Sequence, residues 1–409
     1  MASEEAQKPV VLIYDDDHGS ALGIKQRLSD IENVELRLLD QAKDQVELLE
    51  QRRRLARTSK PGIYEETVFD KADILIVDYD LTASGENQSG PAETGERVAY
   101  LARCYSKCAT IVALNQYNVT ATFDLSLIGQ ISSYADVNIS GDQIGNPALW
   151  GGQHDGYAPW SWPNLKRAPS LQRDREALLS GKIEDRALAV LGLDSPEVFN
   201  GLSRNQLAWL SPNAAPGDVT VMDVIRKGRI GFRPNDRPWV EGGNERVAAA
   251  RLCKWLERLV LPGQNILVDA PHLVGRFPSL AAAEDWDDMT RLGPEEAVGL
   301  IDEKLGVHRF SANTWLSRPA WLWPTLSEDK SIDEVRDPFS PVKTTKFFTE
   351  DSSVFREQSW CRPFAADVEP FSRRFVTRSA RSGEENSSPY AGQYGLGVVQ
   401  YQPQLRFAL

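Results

Sequence analysis

The sequence predicts an α/β protein: a doubly wound, five-stranded parallel sheet in roughly the first 145 residues, followed by a larger, mixed and mainly helical second part. Two observations carry this prediction. In the first part, short apolar runs that stop at acidic or polar turns alternate with segments of helical spacing, and the composition then changes near Trp150. Residues 1–150 hold 14 basic and 24 acidic side chains, a net charge of −10, whereas the rest hold 32 and 34, a net of −2. All 11 Trp lie at position 150 or later. The predicted organisation is a first domain over 1–145, an aromatic-rich junction over 146–168, and a mixed α+β output or interaction domain over 169–409.

Val10-Val11-Leu12-Ile13-Tyr14 is uniformly apolar and ends at Asp15-Asp16-Asp17, the pattern of a strand buried on both faces of a parallel sheet. Residues 19–30 follow with Leu22, Ile24 and Leu28 near helical spacing, then 34–39 as a second strand and 41–57 as a second helix. A third strand over 72–77 runs into Asp78-Tyr79-Asp80. A Gly-, Ser- and Asn-rich stretch, 84–95, precedes a helix over 96–107, a fourth strand over 110–114 and a fifth over 135–139. Right-handed crossovers at this spacing bring the strands into one parallel sheet, with ligands expected beyond the strands' carboxyl ends.

That rule gives the acidic residues a shared address. A 2-1-3-4-5 strand order makes the first and third strands neighbours, so Asp15 to Asp17 and Asp78 converge on one edge. Each alone reads as a helix cap or a solvated charge. Together they repel, and an all-oxygen donor set with room for water points to Mg²⁺.

Val-Leu-Ile-Tyr-Asp15-Asp16-Asp17 with Ile-Leu-Ile-Val-Asp78-Tyr-Asp80-Leu resembles the receiver domain of bacterial two-component response regulators over about the first 140 residues. Residues 95–103 are similar to that family's third helix. The resemblance implies a receiver, or flavodoxin-like, fold in which Asp78 is the phosphorylated nucleophile. Asp15 and Asp16 would hold Mg²⁺ with Asp78, and the backbone carbonyl of Asp80 would complete the metal shell. It also implies an upstream histidine kinase or other signalling protein as partner, with output through protein contacts of the second domain. Where the family usually carries Thr or Ser after the fourth strand this chain has Asn115, and no Lys follows the fifth strand, which ends near Ser140. Asn115 and Ser140 are therefore the candidates for the switch positions, and partner binding without phosphorylation stands beside phosphoryl acceptance.

Two other readings belong to different classes. Asp78-Tyr79-Asp80-Leu81-Thr82 also fits the DxDxT pattern of haloacid-dehalogenase-like phosphatases, with Asp78 as nucleophile and Asp80 as acid/base. A non-catalytic structural scaffold is the other.

The second part is informative about shape. Tyr157, Trp160 and Trp162 near the junction suit packing between the parts. Helices are expected over 170–180, 184–191, 196–210 and 244–261, and a strand over 265–270 ends at Asp269 near His272, which reads as an ordinary cap. Arg226 to Arg233 is the most basic stretch, read as a solvated or interface face, and Arg52 to Arg57 as i,i+4 salt-bridged. Trp315, Trp321 and Trp323 form a second aromatic cluster, and the last residues alternate like a strand. Four scattered Cys (104, 108, 253, 361) give neither a disulfide framework nor zinc-ligand spacing. No apolar run reaches the roughly 18–20 residues that span a bilayer, and the acidic start lacks signal-peptide character. The expectation is a cytoplasmic protein that contacts neither membrane nor, given its charge, nucleic acid.

Overall fold

The computed structural model describes residues 8–39, 41–57, 65–81, 93–115, 123–124, 133–152, 163–210, 215–227, 242–277, 280, 297–310, 313–329, 346–349, 354–363, 375–377 and 399–400. Strands β1 (Val10–Tyr14), β2 (Glu35–Leu38), β3 (Ile74–Asp78), β4 (Thr110–Asn115) and β5 (Val137–Ser140) form one sheet in the order β2-β1-β3-β4-β5, every pair parallel. Helices α1 (His18–Arg27), α2 (Ala42–Arg57) and α3 (Gly95–Tyr105) connect them. Between β3 and α3 the chain also makes a two-residue antiparallel ribbon, Asp80–Leu81 against Glu93–Thr94.

The sheet is covered on both faces, which is why its central strands are apolar throughout. Val11, Ile13, Ile74, Ile76, Val112 and Leu114 pack with Ala21 and Ile24 of α1 and with Leu149, Trp150 and Leu165. Leu12, Tyr14, Leu75, Val77, Ile111 and Ala113 face the other way, toward α2, α3 and helices of the second part. Period-two alternation thus sorts one apolar run into two cores.

In the second part, α4 (Ala168–Leu179), α5 (Ala187–Val190), α6 (Pro196–Gly201), α7 (Arg204–Leu210), α8 (Val221–Lys227) and α9 (Gly243–Trp255) lead to a turn of π-helix over Leu256–Val260. Helix α9 packs on α3, α4 and α8, so the larger core runs from the sheet into the helices. Polar contacts pin the same boundary: the Arg246 guanidinium donates to the Ser106 carbonyl at 2.7 Å, and Arg173 pairs with Asp73. A four-stranded sheet of Lys346–Thr349, Val354–Glu357, Cys361–Pro363 and Phe375–Thr377 follows, in a region where no strand is expected from the sequence.

Several elements differ from the sequence expectation for local reasons. The helix expected over 196–210 breaks after Gly201 because Ser203 starts a new one. Its hydroxyl accepts from the Gln206 amide at 3.3 Å while Gln206 Oε1 accepts from the Ser203 amide at 2.6 Å, a reciprocal capping box. Of the stretch 184–191 only one turn, α5, is α-helical, since the Ala187 amide is drawn to the Val219 carbonyl at 2.7 Å. Arg52 does not form a surface i,i+4 pair. It is buried and grips Asp70 with two hydrogen bonds, 2.7 and 3.0 Å, while also donating to the Tyr105 carbonyl at 2.7 Å. Arg53 pairs with Glu50, and Arg54 with Glu47. Trp315, Trp321 and Trp323 are core residues. Tyr157, Trp160, Trp162, Thr82, residues 228–233 and the last nine residues lie outside the described residues, while Val399–Gln400 of the expected terminal strand pairs in parallel with Phe123–Asp124.

Candidate metal centre

The register of β1 on β3 builds the site. Tyr14 is the partner of Val77, so the next residues, Asp15 and Asp78, leave the sheet side by side at its carboxyl edge. There the carboxylates of Asp15, Asp16 and Asp78 each bring an oxygen within 4.8 Å of the other two. Asp78 is the innermost of the three, only 1% exposed, and Asp15 and Asp16 are half-buried.

The electrostatics follow from that crowding. Burial, then the neighbouring charges of Asp15 and Asp16, pushes the Asp78 carboxyl up to about 7, against hydrogen bonds from the backbone amides of Tyr79 and Asp80. Burial likewise raises Asp15, although the Asp17 amide donates to its Oδ1 at 2.9 Å. Asp16 Oδ2 is buried without a hydrogen-bond partner among the described residues. Three hard oxygen donors with an unsatisfied buried lone pair suit a divalent cation of the Mg²⁺ type.

Asp17, the fourth acid of the edge, has a different task. It is the N-cap of α1, its carboxylate accepting from the Gly19 and Ser20 amides at 3.2 and 3.1 Å and from the Ser20 hydroxyl at 2.8 Å. These bonds, the Ser20 hydroxyl first, lower its carboxyl below the usual range. A residue that caps a helix with both oxygens is not oriented toward the cluster.

Asp80 sits in the ribbon opposite Thr94, and its carboxylate is not among the three that converge. Asn115 and Ser140 are register partners on β4 and β5, one residue beyond Leu114, the partner of Asp78. Their backbones therefore share the carboxyl edge with the acids. Asp269 and His272 are far less open to chemistry than their pairing suggests: Asp269 accepts from Arg318 Nε at 2.9 Å and contacts His272 Nδ1 within the core. Asp269 holds the N-cap position of the helix Ala270–Arg276 but makes no side-chain capping bond, so the expected cap is an ion pair instead.

Gly95 is a site residue that the sequence reading misses. A Cβ there would lie 2.1 Å from the Asp78 carbonyl oxygen and 2.8 Å from Tyr79 Cα, and the Gly95 amide donates to the Tyr79 carbonyl at 2.9 Å. Only glycine lets α3 begin directly against the strand end that carries Asp78. The signal available in the sequence is the Thr94-Gly95 pair opening a helix, with Thr94 accepting from the Arg97 amide as its cap.

No family model, curated protein or solved structure matches the chain. No helix among the described residues is long and apolar enough to cross a membrane.

Proposed function

We propose that the first part of this chain is a receiver-like phosphoacceptor module of a cytoplasmic signalling protein, with Asp78 as acceptor and Asp15 and Asp16 as its metal-holding partners. The convergence of those three carboxylates at the carboxyl edge of a parallel sheet carries the reading. The strand order 2-1-3-4-5, counted over this sheet alone, supports the same family resemblance.

The chemistry asks little of the protein beyond placement. An ionised Asp78 oxygen attacks the phosphorus of a phosphohistidine in line; a P–O bond forms as the P–N bond breaks, and the imidazole leaves with a proton from solvent. A bound Mg²⁺ would supply charge neutralisation for the transferred group. Asp78 must lose its proton to react. The family's Lys and hydroxyl positions are occupied differently here: residues 136–146 contain no Lys or Arg, and Asn115 follows Leu114. Asn115 and Ser140, whose backbones share the edge with Asp78, remain the candidates for the switch positions. A partner kinase would act at this edge, and a protein partner of the second part would carry the output through the core shared by α3 and α9.

Incubation with acetyl phosphate and Mg²⁺ tests this reading. One hydroxylamine-labile phosphoryl group per chain, absent from Asp78→Asn, is expected. A folded wild-type chain that takes no label, or an Asp78→Asn variant labelled as well as wild type, overturns the acceptor role.

A further inference from the structure

A second site lies apart from the acidic edge, where α3 meets α9. Arg103 of α3, Tyr134 ahead of β5, Trp209 of α7, and Val247, Arg251 and Lys254 of α9 line a space of about 330 Å³, counted with its opening to solvent. Three buried cations around one small space is an unusual concentration of positive charge, and their partners decide what it means.

Two of the three are satisfied by the protein. Arg103 donates to the Ala109 carbonyl at 3.0 Å and pairs with Asp136, which also accepts from the Ile111 amide. Lys254 Nζ donates to the carbonyls of Ser133 and Ala135, each at 2.5 Å. Arg251 is different. It is 7% exposed, and none of its three guanidinium nitrogens has a hydrogen-bond partner among the described residues. The guanidinium instead faces the ring of Trp209, 5.5 Å away.

The two acids whose charge acts on neighbouring Lys254, Asp136 and Glu96, are already engaged. Asp136 is held by Arg103, and Glu96 accepts from the Ser133 hydroxyl at 2.7 Å and the Tyr134 amide at 2.6 Å. A guanidinium stays charged under all ordinary conditions, and a buried charge is tolerated only when paired and hydrogen-bonded. The planar fork of Arg251 matches a carboxylate or a phosphate in two parallel hydrogen bonds. Around it, Trp209, Tyr134 and Val247 offer apolar surface.

We infer that this cavity binds a small organic oxyanion, its charged end held by the fork of Arg251 and its apolar body laid against Trp209 and Val247. Because the walls come from α3 on one side and α7 and α9 on the other, the occupant bridges the sheet and the helical part. The site is independent of the reading of Asp78.

The full chain, titrated with benzoate, with its neutral isostere benzamide and with inorganic phosphate, tests the inference through melting temperature and tryptophan fluorescence. Benzoate is expected to raise the melting temperature saturably and to perturb the fluorescence, with benzamide at least about tenfold weaker, a difference of about 1.4 kcal/mol. Arg251→Met, which keeps the bulk and removes the fork, is expected to abolish the benzoate response while leaving acetyl-phosphate labelling of Asp78 as in wild type. Tighter binding of phosphate than of benzoate, equally dependent on Arg251, identifies a phosphate-bearing ligand; the reverse identifies a carboxylate. Equal responses to benzoate and benzamide, no response to either anion, or a benzoate response that survives Arg251→Met overturns the site. Should Arg251→Met not fold, the benzoate-to-benzamide ratio on the wild-type chain decides alone.

Discussion

Gly95 stands so close to Asp78 that a single added carbon would sit 2.1 Å from the Asp78 carbonyl oxygen. The first turn of α3 is thereby locked against the end of β3, and the position of the innermost acid depends on a residue that has no side chain. Gly95→Ala must push helix and strand apart, so a loss of roughly 1–3 kcal/mol is expected, the range for overpacking a closed site. Chemical denaturation checks the stability, and a Mg²⁺ titration of the folded variant is expected to show weakened binding.

Asp78 makes the metal-free protein sensitive to pH. Its carboxyl is raised from 3.8 to about 7 in the folded chain, so the native state holds the proton more tightly than the unfolded one. Stability is therefore greatest below about pH 4 as far as this group is concerned, and falls as pH rises through about 7. Asp78→Asn removes the loss: without metal the variant is expected to exceed wild type by roughly 1–4 kcal/mol at pH 8 and to match it at pH 4. Thermal melts across that range check it. A wild-type chain that gains stability between pH 5 and pH 8 relative to the variant contradicts the assigned cause.

The buried pair of Arg52 and Asp70 has the opposite sign. Burial acts to raise Asp70, but the Arg52 guanidinium and the Thr67 amide and hydroxyl outweigh it and hold the carboxyl below its ordinary value. Its contribution is present above the unfolded pKa and fades as pH drops through the lower, folded one. Arg52→Met leaves a carboxylate without its charge partner, and a destabilisation of roughly 3–5 kcal/mol by urea denaturation at neutral pH is expected.

How far the site can be read from the sequence differs from residue to residue. The strand ends are legible because an apolar run closed by acids, repeated at Tyr14-Asp15 and Val77-Asp78 in an alternating chain, is what a buried strand produces on reaching the polar edge of its sheet. Local pattern does not show which acid turns inward; it is the receiver resemblance that sets Asp15 and Asp16 apart. Asp15, Asp16 and Asp17 are chemically identical in a string of letters, and only the first turn of α1, folded against Ser20, commits Asp17 to capping. Arg52 escapes a sequence reading because helical spacing shows which residues share a face but not that one face turns toward Asp70 from another segment. Arg251 and Lys254 look like members of an ordinary amphipathic helix. Their burial depends on α3 packing across α9, a long-range contact that no local pattern encodes.

The division of labour among the edge acids is itself testable. Asp17→Ala removes three hydrogen bonds from the start of α1 and is expected to lower the melting temperature by a few degrees. Mg²⁺ affinity should stay close to wild type, because Asp17 is committed to the helix. A loss of affinity as large as that of Asp16→Asn, measured on the folded variant, counts against the assignment of Asp17 as a cap alone.

Titration calorimetry with Mg²⁺ at neutral pH tests most directly the proposal that Asp15, Asp16 and Asp78 jointly hold one ion. One ion per wild-type chain is expected, with binding lost in Asp16→Asn and Asp78→Asn while both variants keep the far-ultraviolet spectrum of the folded protein. A wild-type chain that takes up no ion, or an Asp78→Asn chain that binds as tightly as wild type, contradicts it.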